Sequence, residues 1–399
     1  MLERIIRRIY AEGPIVFRLP GGREVVVGDR EAAAVVVRIR DAATARRILT
    51  NPALGVGEAF MDGGLSLERG SVFDLLDLTG RELERRPMPT PGPLRRLARR
   101  IGQANDRRRA RRNVAHHYDL NTAFYRLFLD EDLQYSCAYF ARPDLSLEAA
   151  QAAKKRLLLA KLNLSPGQRV LDIGCGWGGL GLTLAEAGVE VVGVTLSREQ
   201  LAEARRRAAA AGLAGRVDFR LQDYRDLDGP FDRIVSVGMF EHVGVPNYRA
   251  YFDAVSRLLA DDGVAVIHSI GRKDGPNTTQ PWIAKYIFPG GYIPALSEVL
   301  PAIEKSGLWV TDMEILRLHY AETLKAWRER FLARRAEAAA MYDERFCRMW
   351  EFYLAASETA FRRRGHMVFQ VQLAKRQDAV PLTRDYLFER RGPAVTRAA

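Results

Sequence analysis

The chain has 399 residues, of which 47% are hydrophobic and 28% charged, so it has the composition of an ordinary globular protein and not of a disordered or fibrous one. Its formal net charge of +12 predicts an anionic partner such as lipid, nucleic acid or an acidic substrate, unless the arginines only solvate the surface. Three separated cysteines exclude a disulfide scaffold and a zinc site, and they favour a reducing cytoplasm.

Residues 1–85 predict a small α+β domain, because short periodic segments alternate with glycine-rich turns. Leu2, Ile5, Ile6 and Ile9 recur at helical spacing beside three arginines. Such a helix either lies in a membrane interface or docks on its own domain. No apolar core of a signal peptide and no apolar stretch of roughly 20 residues is present, so we expect any membrane contact to be peripheral.

Residues 86–112 predict a linker, because prolines and then arginines dominate this segment. The arginines suit lipid phosphates, at about 1 kcal/mol each near an anionic surface. A solvated, charged helix is the alternative.

Residues 113–399 predict an α/β domain, because apolar strands alternate with amphipathic helices. An inserted helical region covers 320–363. The predicted strands lie at 169–173, 189–195, 216–221, 231–237, 263–269 and 367–373, with helices at 199–211 and 248–259.

A glycine-rich turn follows the first of these strands and predicts a ligand site. Gly174 and Gly176 let the backbone approach a ligand, and Asp172 stands just before them. The turn lacks the third spaced glycine of a dinucleotide fingerprint, which favours a ligand with an ammonium group and a nucleoside. The sequence therefore predicts an S-adenosylmethionine site, with another nucleotide or a purely structural turn as alternatives.

The next two strands supply polar groups to the same crevice. The second strand ends in Thr195 and Leu196 instead of an acid, so hydroxyl and amide groups, including Gln200, are expected to bind the ribose. Gln222 and Asp223 follow the third strand, near the expected adenine. No metal site is expected, because His116 and His117 have no companions at ligand spacing.

Several longer strings resemble one family. Residues 113–390 resemble the cyclopropane-fatty-acyl-phospholipid synthases and the mycolic acid cyclopropane synthases. The first hundred residues are similar to that family's N-terminal lipid-associated domain in size, in character and in GEAFMD at 57–62. The strings that carry the resemblance are HHYDLN at 116–121, QYSC at 134–137, LDIGCGWG at 171–178, VTLS at 194–197, QDYRD at 222–226, MFEHV at 239–243 and YIFPGG at 286–291.

The resemblance implies a Rossmann-like class I methyltransferase fold with a seven-stranded, mostly parallel sheet. It also implies methyl transfer from S-adenosylmethionine to the cis double bond of an unsaturated phospholipid acyl chain, followed by proton loss and ring closure. Tyr135 and Ser136 join the cofactor residues by resemblance. Bicarbonate is the implied base, in a cage formed by Cys137, Glu241, His268, the backbone of Ile270, and Tyr320.

One position departs from the family pattern. Ser357 stands where some members carry a cysteine, so we expect no covalent nucleophile. Without the resemblance, His268 would be interpreted as a core histidine and Glu241 as a solvent-facing acid. An aromatic group after the fifth strand suits either an acyl channel or a packed lid helix: Trp282, Tyr286, Phe288 and Tyr292.

Three other functions compete with this interpretation. The product can be a methyl-branched or methylene chain, the acceptor can be a small-molecule amine, or the chain can bind membranes or nucleic acid without catalysis. We expect contact with anionic membranes, no nucleic acid because no RNA-binding aromatic motif is present, and a homodimer. We expect the protein in the cytoplasm, at the inner face of the membrane.

Overall fold

The computed structural model describes residues 2–10, 13–84 and 121–389, which form two compact units. The first unit contains the described residues up to 84 together with Thr279–Pro289 and Ala321–His366. The second contains residues 121–278, Gly290–Tyr320 and 367–389. The predicted linker at 86–112 and the histidines at 116 and 117 lie outside the described residues, as do the predicted domain boundaries, which stay predictions.

The described elements alternate between strands and helices in the pattern that the sequence predicts. The strands are β1 (Ile15–Arg18), β2 (Glu24–Val27), β3 (Val35–Ile39), β4 (Leu65–Arg69), β5 (Arg169–Ile173), β6 (Glu190–Thr195), β7 (Val217–Leu221), β8 (Phe231–Val237), β9 (Leu259–Arg272), β10 (Trp309–Leu316) and β11 (His366–Ala374). The helices are α1 (Leu2–Ile9), α2 (Ala42–Thr50), α3 (Pro52–Met61), α4 (Val72–Glu84), α5 (Thr122–Tyr125), α6 (Leu147–Leu162), α7 (Gly179–Glu186), α8 (Arg198–Ala210), α9 (Tyr248–Leu258), α10 (Pro281–Tyr286), α11 (Leu296–Ser306), α12 (His319–Ala333), α13 (Arg335–Met341), α14 (Glu344–Arg363) and α15 (Tyr386–Glu389).

The first unit is built on a four-stranded sheet in the order β2-β1-β3-β4. The N-terminal helix α1 docks on this unit, because Ile6 and Tyr10 are buried and the Tyr10 hydroxyl lies 2.7 Å from the Thr79 hydroxyl. Arg4 and Arg8 face solvent. Of the two interpretations of this helix, docking on its own domain fits these contacts.

The second unit is built on a seven-stranded sheet in the order β10-β11-β9-β8-β5-β6-β7. Four neighbouring pairs are parallel, namely β5 with β6, β6 with β7, β5 with β8 and β8 with β9, whereas β10 and β11 are antiparallel. The central strands are almost continuously apolar because helices cover both faces. The predicted seven-stranded, mostly parallel sheet is confirmed.

The order of the strands fixes where a ligand binds. The chain runs from β5 outward through β6 to β7 and then returns to place β8 on the other side of β5. Loops diverge at the carboxyl ends of β5 and β8, and such a switch point leaves a crevice. No helix among the described residues has the length and apolarity needed to cross a membrane.

Candidate active site

A cavity lies at the switch point of the second unit, at the carboxyl ends of β5, β6, β7 and β8. All ten residues predicted to bind the cofactor line it: Tyr135, Ser136, Asp172, Gly174, Gly176, Thr195, Leu196, Gln200, Gln222 and Asp223. It is also lined by residues that the sequence did not single out, among them Gln134, Trp177, Gly238, Arg225 and Asn247.

The glycine-rich turn after β5 opens the cavity floor. Gly174 and Gly176 have φ of +85° and +54°, where a side chain is disfavoured. The Gly174 N–H donates to Val194 O at 2.9 Å and thereby ties the turn to β6. A Cβ built on Gly176 meets nothing within 4 Å, so this glycine leaves open space for a ligand.

Asp172 places a buried carboxyl at the end of β5. It is 2% exposed, and its Oδ2 has no hydrogen-bond partner among the described residues. Burial raises its pKa to about 7, against the opposing positive charge of Lys154. An unpaired buried carboxyl is costly, and a ligand ammonium group would satisfy it.

The end of β6 carries hydroxyl and amide groups in place of an acid. The Thr195 hydroxyl donates to Gln200 Oε1 at 3.1 Å, and Ser197 caps α8 by accepting the Gln200 N–H at 3.3 Å. These three side chains are buried. They form a polar wall suited to a sugar.

Gln222 and Asp223 follow β7, where the sequence predicts the adenine. Asp223 accepts from Arg225 through both carboxylate oxygens, at 2.8 Å from Nε and 2.6 Å from an Nη. The Gln222 amide donates to Asp226 O at 3.0 Å. The carboxylate is therefore fixed by a planar guanidinium before any ligand enters.

The segment from Gln134 to Ser136 closes the cavity opposite the strands, and helix α6 holds it. The Lys154 ammonium donates to Gln134 Oε1 at 2.5 Å and to Ser136 Oγ at 2.9 Å. Gln151 donates to the carbonyl oxygens of Gln134 and Ser136 at 3.1 and 3.0 Å. The sequence analysis missed both helix residues. Only the helical spacing of two polar residues within an otherwise apolar face signals them.

Glu241, His268 and Ile270 come together at the ends of β8 and β9. The Ile270 N–H donates to Glu241 Oε1 at 2.6 Å, whereas Glu241 Oε2 is buried without a hydrogen-bond partner among the described residues. Burial raises the pKa of Glu241 to about 7, opposed by the Ile270 hydrogen bond. Met239 and His242, on either side of Glu241 in the chain, line the cofactor cavity. This carboxyl therefore adjoins the cofactor cavity with an acceptor atom unused.

His268 is neutral and oriented by a residue that the sequence analysis missed. Its Nδ1 lies 3.0 Å from Nε2 of Gln370, which is fully buried on β11. An amide N–H donates to Nδ1 in this arrangement, which leaves the proton of the imidazole on Nε2. Burial, assisted by the charges of Lys154 and Lys161, holds the pKa of His268 well below its usual range. Neither the neutral histidine nor its partner can be inferred from a glutamine in a predicted strand.

Cys137 and Tyr320 lie on two segments that His319 joins. Cys137 is fully buried and Tyr320 is 9% exposed. His319 stacks on Tyr139 with 4.8 Å between ring centroids and accepts the Phe140 N–H on Nδ1 at 3.0 Å. Hydrogen bonds thus connect Glu241 with Ile270, and His319 brings the Tyr320 segment to the residues that follow Cys137.

The aromatic group after the fifth strand divides between the two units. In the first unit, Trp282 is fully buried, with its ring 4.7 Å from that of Phe352 and its Nε1 donating to Met61 Sδ at 3.2 Å. In the second unit, the Tyr292 hydroxyl donates to Glu298 at 2.7 Å. Trp282 therefore packs as a lid helix would, and the acyl channel stays a prediction.

No thiol nucleophile stands at the position where the family departs. Ser357 and Cys347 both lie on α14, and Cys347 is fully buried. Burial raises the pKa of this thiol, which keeps it protonated. Among the described residues, no group of three His, Cys, Asp or Glu side chains is arranged to hold a metal ion.

Comparison with known proteins identifies the family. A family model described as mycolic acid cyclopropane synthetase matches residues 105–371. The cyclopropane-fatty-acyl-phospholipid synthase of Escherichia coli K12 is 41% identical over 345 residues, 86% of this chain and 89% of the relative. The tuberculostearic acid methyltransferase UfaA1 of Mycobacterium tuberculosis is 39% identical over 387 residues, 94% of this chain and 90% of the relative.

A solved structure agrees with both relatives. The mycolic acid cyclopropane synthase CmaA1, complexed with SAH and CTAB, has a TM-score of 0.62 at 36% identity and covers 66% of this chain and 97% of its own. The fold, the glycine-rich cavity and these matches agree. The chain belongs to the mycolic acid cyclopropane synthetase family and is an S-adenosylmethionine-dependent methyltransferase.

Proposed function

We propose that this enzyme transfers a methylene group from S-adenosylmethionine to the cis double bond of an unsaturated phospholipid acyl chain, with bicarbonate as the base, and forms a cyclopropane fatty acid. The observation that carries the proposal is the buried Glu241 carboxyl. One of its oxygens is held by the Ile270 N–H at 2.6 Å, and the other is buried without a partner among the described residues. An amine methyltransferase has no need of such an acceptor beside a neutral histidine.

The residues present fit both small molecules. Asp172 Oδ2 is a buried acceptor without a partner in the described chain, which suits the ammonium group of the cofactor. Glu241 Oε2 is a second such acceptor, which suits the hydroxyl of bicarbonate. When bound, S-adenosylmethionine supplies an electrophilic methyl group and bicarbonate supplies a base too small to be replaced by a side chain.

The chain itself orients the reactants and excludes water. An alkene has no proton that can be removed before the methyl arrives, so the acceptor carries positive charge before the ring closes. Cys137 and His268 are almost completely buried, which keeps water from that charge. His268 offers an Nε2 proton because Gln370 occupies its Nδ1, and Glu241 offers an acceptor. Tyr320 is the further donor that we assign to the bicarbonate site.

Similarity and charge support the lipid acceptor. The Escherichia coli relative is named as a cyclopropane-fatty-acyl-phospholipid synthase, and it is 41% identical over most of both chains. The net charge of +12 supports attraction to anionic membranes, and the exposed Arg4 and Arg8 of α1 add to it. We further propose peripheral association with the inner face of the membrane, no role for nucleic acid, and a homodimer.

A methyl-branched product is the second candidate, and one similarity favours it. UfaA1 is named as a tuberculostearic acid methyltransferase and matches 94% of this chain at 39% identity. Methylation of the double bond is common to both candidates. They differ only in how the acceptor loses its charge after methylation.

Expression in a bacterium that lacks such enzymes tests the proposal. We expect its monounsaturated phospholipid chains to gain one CH2 unit, and mass spectrometry of the fatty acids detects this gain. Resistance of the product to mild hydrogenation identifies a ring, uptake of hydrogen identifies a methylene group, and a saturated chain with an added CH2 and two further hydrogens identifies a methyl branch. Unchanged lipids together with methylation of soluble amines would contradict the proposal.

A further inference from the structure

Lys154 is a buried cation beside the cofactor cavity without a carboxylate partner. It is 1% exposed, and its Nζ donates to two neutral acceptors, Gln134 Oε1 at 2.5 Å and Ser136 Oγ at 2.9 Å. No carboxylate of the described chain lies within ion-pair distance of it. Burying an ammonium group without a paired charge is costly, and a shorter or neutral side chain would fold at lower cost. This position therefore calls for an explanation beyond packing.

The two acceptors belong to the cavity wall, and a second residue of the same helix holds that wall. Gln134 and Ser136 both line the cavity. Gln151 lies one turn before Lys154, on the same face of α6, and donates to the carbonyl oxygens of both wall residues at 3.1 and 3.0 Å. Four hydrogen bonds from one helix face thus fix the wall segment. Only those from Lys154 bring charge.

The charge of Lys154 acts on both parts of the active site. Asp130, Asp132 and Lys155 face it from its own side, and Cys137, Asp172 and His268 face it from the wall, β5 and β9. Burial lowers the pKa of Lys154 to about 8, against the attraction of Asp130 and Asp132. Lys154 in turn lowers the pKa of Asp172, although burial leaves that value raised to about 7.

We propose that Lys154 is a positioning residue of the cofactor site: its ammonium group holds the wall segment and supplies the positive charge that favours an ionised Asp172 ready for the ammonium group of the cofactor. The proposal rests on the cofactor lying in this cavity. It is independent of the lipid acceptor and of bicarbonate, so its failure and theirs are distinguishable.

The test is titration calorimetry of S-adenosylmethionine into the purified full-length protein without any acceptor, at about pH 7 and about pH 9. Lys154→Met removes the charge and keeps the shape. We expect it to weaken cofactor binding about tenfold at the lower pH and about threefold at the higher. The difference shrinks because the wild-type lysine loses its proton as the pH rises through about 8, while Asp172 becomes ionised in both proteins.

Two variants separate charge from packing. Gln151→Met removes two hydrogen bonds from the wall and no charge, so we expect the same fold-change at both pH values. Lys161→Met removes another buried lysine of α6, one paired with Glu314 at 2.6 Å, and should leave cofactor affinity within about twofold. If Lys154→Met does not fold in a thermal melt, Lys154→Gln keeps a donor and should show the same pH-dependent loss.

Two outcomes overturn the proposal. One is an unchanged cofactor affinity in a folded Lys154→Met or Lys154→Gln protein. The other is a loss of affinity by the same factor at both pH values, as expected for Gln151→Met, because a residue that acts only through packing has no reason to lose its effect as it loses its proton.

Discussion

At the scale of single residues, Glu241 carries the chemistry that we assign to the site. Its Oε1 is occupied by the Ile270 N–H, and its Oε2 is the acceptor that remains. In Glu241→Gln the amide oxygen can keep the bond to Ile270, but an NH2 group replaces the acceptor. We expect product formation to fall by at least about a hundredfold while the affinity for S-adenosylmethionine changes little. Lipid mass spectrometry and titration calorimetry measure the two, and a variant that keeps full activity would contradict the role of Glu241.

Gln370 gives a second prediction at this scale, because its amide determines which nitrogen of His268 carries the proton. Gln370→Met removes the donor to Nδ1, and we expect turnover to fall about tenfold with cofactor affinity unchanged. Nitrogen-15 NMR of the imidazole should show a mixture of tautomers in the variant.

Gln372→Met is the matched control for that change. Gln372 is also buried on β11, but it donates to the carbonyl oxygen of Lys161 and to the Tyr386 hydroxyl, away from the site. We expect it to lower the melting temperature and to leave turnover close to that of the wild type. Equal loss of turnover in both variants would mean that Gln370 acts only through packing.

At the scale of elements, the turn between β5 and α7 separates ligand space from packing space. A Cβ on Gly176 enters open space in the cavity, whereas a Cβ on Gly178 comes within 2.7 Å of the Phe219 ring. We expect Gly176→Ala to weaken cofactor binding about tenfold with a stability loss of about 1 kcal/mol. Gly178→Ala should lower the free energy of unfolding by about 1–3 kcal/mol. Denaturant titration and calorimetry check the pair, and the reverse pattern would move the ligand away from this turn.

The elements also show what sequence periodicity can predict. The parallel strands β5, β6, β7 and β8 lie within a residue of their predicted bounds, because buried central strands are continuous apolar runs between turn signals. Strand β10 was not located, because it is an edge strand whose residues are mostly exposed or half-buried and whose pattern is weak. Helix α6 was not located either, although it holds the cavity wall.

At the scale of the whole molecule, the buried carboxyls make stability depend on pH. The pKa of Glu241 is raised to about 7 from an ordinary value of about 4.5, so the folded state binds a proton that the unfolded state releases. The contribution of this group is complete below about pH 4.5 and is lost as the pH rises through about 7. We expect Glu241→Gln to stabilise the protein at about pH 8, by on the order of 1–3 kcal/mol, and to have little effect at about pH 4.5. Melting temperatures at the two pH values check this, and a variant less stable than wild type at about pH 8 would contradict it.

The whole site shows why some of its residues were predictable and others were not. The cavity residues follow strand ends, and a parallel sheet brings strand ends together, so Asp172, Thr195 and Asp223 were predicted from topology. Glu241 and His268 were predicted only through the family resemblance. Lys154 and Gln370 depend on contacts between segments far apart in the chain, which no local pattern reports.

Bicarbonate dependence is the measurement that tests the central claim most directly. The purified enzyme is assayed on vesicles of unsaturated phospholipid with S-adenosylmethionine, first in buffer stripped of carbon dioxide and then after bicarbonate is added. We expect product to be nearly absent in the stripped buffer and restored in the wild type by bicarbonate, with no response in Glu241→Gln. Full activity of the wild type without bicarbonate would contradict a captured anion as the base.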